Sequence, residues 1–275
     1  MITNFETNKV YFAKGLTLVK YMNVARHMVD CCLVHNIAWG QLPQTPSSFH
    51  VWVRDYMPVQ VRKDKFVRFC YTPDYLQNNP EYKPDTTPIL SELGVEVMDS
   101  DIVLDGGNVV SCGDKVIMTD KVIRENPHYD RNMLIDTLSK LLETEIVLIP
   151  ADSYDEYGHA DGMVRYLGEG RVLLNNYCDF DKALGKKLWN ALSPHFDISE
   201  LHYGSYAVRS WAYINFLHVG QHIFIPMMED KLASKAFKQI AEMFPKCECH
   251  PIWGCESIVN EGGALNCSTW NVLID

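Results

Sequence analysis

The sequence predicts one α/β domain spanning residues 1–275, built as a five-bladed propeller with small sheets around a pseudo-fivefold axis and helices outside. Three observations predict it. A phrase made of a polar or glycine marker, a short apolar run, a polar turn and a second apolar run begins at Asp55, Gly107, Asp161, Asn215 and Cys267, which sets a period of 52 to 54 residues. Helical patterns fill the intervals, and no Pro/Ser-rich stretch offers a domain boundary. A supersecondary unit repeated at this period belongs to an array or a ring. The first unit borrows the amino-terminal helix and the last has none of its own, so a ring in which the termini meet is expected.

The elements follow in order. Leu16, Val19, Met22, Ala25, Met28, Val29, Cys32 and Leu33 recur at three and four, which predicts a helix from Gly15 to Asn36. His50 to Arg54 reads as a strand. A hairpin follows Asp55, with its turn at 62–65. The same phrase turns at 112–115 after Gly107, at 168–170 after Asp161 and at 220–221 after Asn215, and Cys267 leads into a last strand. Helices are expected over 130–143, 181–195 and 229–244, each with an acidic residue at its start to suit the helix dipole, and a shorter one over 84–94.

Composition bounds the function. The net charge is −10, which argues against nucleic acid and favours cationic ligands. No apolar run approaches the roughly 20 residues of a membrane span, and the amino terminus lacks a signal pattern, so a cytoplasmic location without a membrane partner is expected. Nine cysteines, an odd number without framework spacing, suit a reducing compartment. Cys247, Cys249 and His250 form a Cys-x-Cys-His run, but no second ligand pair stands at a matching spacing, so no metal is expected there.

In a closed ring the five markers face one another at one end of the axis. Taken singly, each has a structural reading: Asp55 beside Arg54 as an ion pair, Asp161 and Asn215 as turn caps, His159 as a packed ring, Gly106 and Gly107 as a bulge, Cys267 as a buried thiol. Five structural residues have no reason to share one register. Together they supply a thiol nucleophile, an imidazole and two carboxylates. A cysteine protease has little use for two aspartates that oppose thiolate formation and repel an oxyanion. A planar guanidinium uses both, because its five donors match carboxylates in pairs. Attack of sulfur on the central carbon, loss of ammonia with His159 as acid, and hydrolysis with His159 as base make a deimination that needs no cofactor or metal.

Trp52-Val-Arg-Asp55-Tyr-Met-Pro58, Asp105-Gly-Gly-Asn108, Gly158-His-Ala-Asp161, Tyr213-Ile-Asn215-Phe216 and Gly262-Gly-Ala-Leu-Asn-Cys267-Ser-Thr together resemble the agmatine deiminase and bacterial peptidylarginine deiminase family of the guanidine-modifying pentein superfamily. The resemblance covers residues from about 50 to 275, with the blocks in family order. It implies the pentein propeller and hydrolysis of a guanidino group, in agmatine, arginine or a peptide's arginine, through a covalent thiouronium intermediate. It also implies Cys267 as nucleophile, His159 as general acid and base, and Asp55 and Asp161 as guanidinium-binding carboxylates. Asn215, Asp105, Gly106, Gly107 and Trp52 are the expected substrate contacts. Met57, Asp105, Glu261 and Asn266 depart from the residues the family usually carries. An amidinotransferase of the same superfamily and a silent guanidine-binding protein are the competing readings.

Overall fold

A computed structural model describes residues 1–43, 50–204 and 209–274. Its strands form five three-stranded sheets, one for each expected blade. The closing blade opens the chain with strand β1 (Lys9–Phe12), helix α1 (Met22–Val34) and strand β2 (Ala38–Gln41). The first full unit is β3 (Val59–Arg62), β4 (Lys65–Cys70), α2 (Thr87–Leu93) and β5 (Val97–Val103). The second is β6 (Val110–Ser111), β7 (Lys115–Thr119), α3 (Arg131–Leu142) and β8 (Glu145–Ile149). The third is β9 (Val164–Gly168), β10 (Arg171–Leu174), α4 (Lys182–Leu192) and β11 (Asp197–Glu200). The fourth is β12 (Leu217–Val219), β13 (His222–Pro226), α5 (Ala233–Met243) and β14 (Glu248–Ile252), and β15 (Thr269–Val272) ends the chain.

In each full unit the hairpin pairs antiparallel and the strand after the helix pairs parallel to the central one. The closing blade obeys the same rule with its hairpin cut. β15 pairs antiparallel with β1, Lys9 opposite Val272, and β1 pairs parallel with β2. The amino-terminal helix therefore serves the last blade, not the first as expected, because the first already owns α2. Asn8 fastens the join, its side chain bonding both the amide and the carbonyl of Ile274 at 2.9 Å.

The helices form for local reasons and are held by one apolar stripe each. Asp130 caps α3 and Asp181 caps α4, each accepting two backbone amides. Leu134, Leu138 and Leu142 of α3, and Leu184, Leu188 and Leu192 of α4, recur every fourth residue on the buried face. Each such leucine contributes roughly 1.5–3 kcal/mol. The helix expected from Glu229 starts only at Ala233, because Asp230 spends its carboxylate on the amides of Leu232 and Ala233.

The expected strand His50–Arg54 is corrected. Residues Val53–Tyr56 form one helical turn with Val53 and Tyr56 buried, and the Arg54 amide bonds the Cys267 carbonyl at 3.1 Å. Apolar alternation there serves packing at the axis. Residues 1–8, for which the sequence suggested nothing, cross the opposite end of the axial cavity. The Ile2 amide bonds the Val61 carbonyl, the Gly220 amide bonds the Asn4 carbonyl, and Phe5 meets the His218 ring edge-on at 4.3 Å. Among the described residues no helix is long and apolar enough to cross a membrane.

Ring closure through β15 makes a direct prediction. Trp270 is buried and donates from its indole to the Pro58 carbonyl at 2.9 Å, so Trp270→Ala alone should cost about 3–5 kcal/mol. Removing residues 268–275 should abolish cooperative thermal unfolding followed by circular dichroism, whereas Cys267→Ser should melt as the parent does. A truncated chain with an unchanged melting transition would refute closure by this strand.

Candidate active site

Each marker sits in a single helical or 3-10 turn at the head of a blade's first strand. Asp55 lies in the turn 53–56, Gly107 in 106–108, Asp161 in 160–162, Asn215 directly after 211–214, and Cys267 in the turn before β15. Such turns point backbone amides and short side chains toward the axis, which a continuous strand cannot do.

The heads are interlocked. Asp55 Oδ1 accepts the Gly107 amide at 2.9 Å, and Asp105 Oδ2 meets His159 Nε2 at 2.7 Å. Asp161 Oδ2 accepts from the Asn266 side chain at 2.7 Å. The Asn266 amide bonds the Asn215 carbonyl at 3.0 Å, while Asn215 Oδ1 accepts from the Cys267 amide at 3.3 Å and lies 3.2 Å from its sulfur. Asn266, one of the departures from the family pattern, therefore positions a carboxylate 3.7 Å from the thiol.

Electrostatics follow from burial. His159 lies between two carboxylates, with Nδ1 3.6 Å from Asp55 Oδ1 and Nε2 on Asp105. Burial alone would lower its pKa, but the Asp55 charge and the Asp105 hydrogen bond outweigh that and lift it to about 9, so the ring is an imidazolium at neutral pH. Burial, reinforced by the neighbouring carboxylates Asp105 and Asp161, pushes Asp55 up to about 7 against the opposing pull of His159. Asp105 is held below its ordinary value: burial would raise it, but His159 and Lys121, whose ammonium is 3.0 Å away, prevail. Burial and the charges of Asp161 and Asp55 push the Cys267 thiol well above its usual range. The resting nucleophile is therefore a thiol awaiting a cation.

Two hollows meet at Cys267. One is walled by Trp52, Tyr71, Tyr75 and Tyr157 and reaches Asp55 and His159. The other, about 520 Å³, is lined by Asp161, Asn215, Trp211 and Tyr177, with Asp152, Asp155, Glu156 and Glu261 also on its walls. Cys267, His159, Asp55 and Asp161 thus come together as expected, with Trp52 and Asn215 on the walls. Asp105 does not reach a hollow. It is buried beneath His159, where Lys121 and the Tyr75 hydroxyl also bond it, so its expected place beside the substrate is corrected to one behind the imidazole. Gly106 and Gly107 also line neither hollow. A Cβ on Gly106 would stand 1.9 Å from the Arg54 carbonyl oxygen, and one on Gly107 only 2.6 Å from both Asp55 Oδ1 and His159 Nδ1. Gly263 admits the Trp52 ring in the same way, at 2.2 Å from a notional Cβ. Lys121 and Tyr75 escaped the sequence reading because nothing in their local spacing connects them to His159.

The five three-stranded sheets around one axis make an α/β propeller of the pentein class. Residues 18–272 match the model of the Porphyromonas-type peptidyl-arginine deiminase family, and the chain belongs to that family of hydrolytic C–N enzymes. No protein among the curated sequences matches it. Among solved structures, the agmatine deiminase of Enterococcus faecalis is similar at 16% identity and TM-score 0.75, covering 98% of this chain and 94% of that one. A cysteine-to-serine agmatine deiminase of C. jejuni with substrate bound gives 14% identity and TM-score 0.75, covering 99% and 95%. The amino-terminal domain of an arginine dihydrolase from the ornithine–ammonia cycle in cyanobacteria gives 12% and 0.63, covering 97% and 98%.

The space left by Gly107 is testable. In Gly107→Ala the methyl would force Asp55 and His159 apart, and a displacement near 1 Å costs about 10²-fold in rate. Deiminase kcat should fall by that order, and the overpacked cluster should lower the melting temperature as well, at a cost of about 1–3 kcal/mol. Full activity in a folded Gly107→Ala protein would show that the two groups need not be this close.

Proposed function

We propose that this enzyme hydrolyses the guanidino group of a small cationic substrate of the agmatine type to a ureido product and ammonia, through a thiouronium adduct on Cys267. The observation that carries the reading is the convergence of Asp55 and Asp161 on the cleft that holds the Cys267 thiol and the His159 imidazolium. A planar cation is the ligand that satisfies both carboxylates, and its charge offsets the two that hold the thiol neutral. Once the cation is seated, the thiol releases its proton to solvent and sulfur adds to the central carbon. His159 then donates its proton to the departing nitrogen. The neutral imidazole next takes a proton from water, whose oxygen adds to the thiouronium carbon, and collapse frees the ureido product as the remaining hydroxyl proton returns to the departing sulfur to restore the thiol.

The substrate's tail is read from the wider hollow. Besides Asp161, its described lining has four carboxylates and neither lysine nor arginine. Asp152 accepts the Tyr177 hydroxyl, Asp155 accepts the Tyr157 and Gly158 amides, and Glu261 accepts from Lys20. Glu156 is exposed and lines both hollows, which favours an amine over a carboxylate at the far end. The nine free cysteines are in keeping with a reducing, cytoplasmic setting.

Incubation with agmatine, free arginine and blocked arginine, with ammonia and ureido product measured, tests the proposal. Agmatine should turn over fastest, and Cys267→Ser should lose at least about 10³-fold. A preference for arginine would refute the tail reading, and no turnover of any of the three by protein with a reduced Cys267 would refute the reaction.

The pH profile tests the acid. His159 must be charged to donate, so kcat/KM, which reports the free enzyme, should fall as pH rises through about 9. Asp105→Asn removes a charge-assisted hydrogen bond worth about 1.5–3 kcal/mol, and one pKa unit is about 1.4 kcal/mol. The alkaline limb should therefore move down by about a unit or more. An unmoved limb in a folded variant would exclude His159 as the group that titrates.

A further inference from the structure

A second cluster of chemically competent side chains lies outside the cleft, on the helix-covered side of the fourth blade. His222 of β13 is opposite Glu248 of β14, and His250 stands two residues beyond Glu248, so the pleat puts all three on one face. His35, the residue that ends α1, closes over them. His222 Nδ1 is 3.1 Å from His250 Nε2, His35 Nδ1 is 3.2 Å from Glu248 Oε2, and His222 Nδ1 is 3.8 Å from the same oxygen. One donor atom from each of the four residues falls within 4.8 Å of all the others. Imidazole nitrogens and a carboxylate oxygen are the donor types that a zinc-class cation takes.

We infer that His35, His222, Glu248 and His250 form a binding site for one divalent cation of the zinc class, which ties α1 of the closing blade to the outer strands of the fourth. Bonds of about 2.0–2.2 Å in a tetrahedron place donors roughly 3.3–3.5 Å apart, a spacing these side chains reach with small rotations. The negative end of the α1 dipole adds to the attraction for a cation. Four protein donors leave no open position, which makes the site structural in kind and separate from the deiminase chemistry. Cys247 and Cys249, which the sequence groups with His250, pack against the core instead and are not among the donors. The group Cys178, Asp179 and His202 is a weaker arrangement, because Asp179 already accepts the backbone amides of Tyr203 and Gly204.

The test is titration of the full-length, metal-stripped protein with Zn²⁺ against a chromophoric chelator, and with Co²⁺ followed by absorption. One ion per chain should bind. The cobalt form should show the visible bands of a four-coordinate centre without the near-ultraviolet band of thiolate ligation, and Zn²⁺ should raise the melting temperature. His222→Ala should weaken binding at least about 10- to 100-fold, the loss that outer-shell changes alone can cause. Glu248→Gln, at a side chain that is 65% exposed, should weaken it too and keeps the reading secure if His222→Ala fails to fold. Absence of saturable binding, a thiolate band, or affinity unchanged in Glu248→Gln would overturn the site.

Discussion

Three carboxylates, Asp55, Asp105 and Asp161, nearly excluded from water around one thiol, are the constraint on which the rest of the structure turns. Left alone they would protonate or push the chain apart, since desolvated like charges cannot all persist. Each is instead given a fixed donor from a different blade: the Gly107 amide, the His159 ring with Lys121 behind it, and the Asn266 side chain. Two of these pairs join consecutive blades, while the third brings Asn266 of the closing blade to Asp161, so closure of the ring has an electrostatic role as well as a packing one. Half-buried Arg54 and buried Arg165 lie on the other side of the markers, where burial lowers the pKa of each against the charge of Asp161, and they extend the same balance toward the axial cavity.

The architecture was legible because the repeat writes the same hairpin four times and begins it a fifth, and a period of 52 to 54 residues cannot come from local propensity. The residues that face the axis were legible for the same reason. What stayed hidden depended on contacts without a repeat. His50 to Arg54 has strand-forming residues, yet the Arg54 amide is claimed by Cys267, so tertiary bonding outweighed propensity and made a helical turn. Asp105 was placed beside the substrate because it stands next to a glycine pair, whereas its true neighbours, Tyr75, Lys121 and His159, lie 30, 16 and 54 positions away. The assignment of α1 to the first blade failed because sequence order and blade order are offset by one strand.

Glycine at the second marker shows how a pseudosymmetric scaffold becomes asymmetric enough for chemistry. Four heads deliver side chains, and the fifth delivers a bare backbone whose amide holds Asp55 while its missing Cβ leaves room for Asp55 and His159 to approach. Asn266 has a comparable role on the far wall, where its amide group fixes Asp161 beside the sulfur. Both act by position, and neither is a group that chemical intuition would select from the sequence.

The interrupted hairpin of the closing blade also has a consequence for how the molecule comes into being. β1 is synthesised long before β15, so the blade they share has no antiparallel partner until β15 has emerged. Four blades can organise on the ribosome while the fifth waits, and contacts of such long sequence separation form slowly. The reactive sulfur is in the same late segment. A chain that has not yet made this segment thus carries the carboxylates and the imidazole but not the Cys267 thiol, and the axial cluster is assembled in the same event that closes the ring.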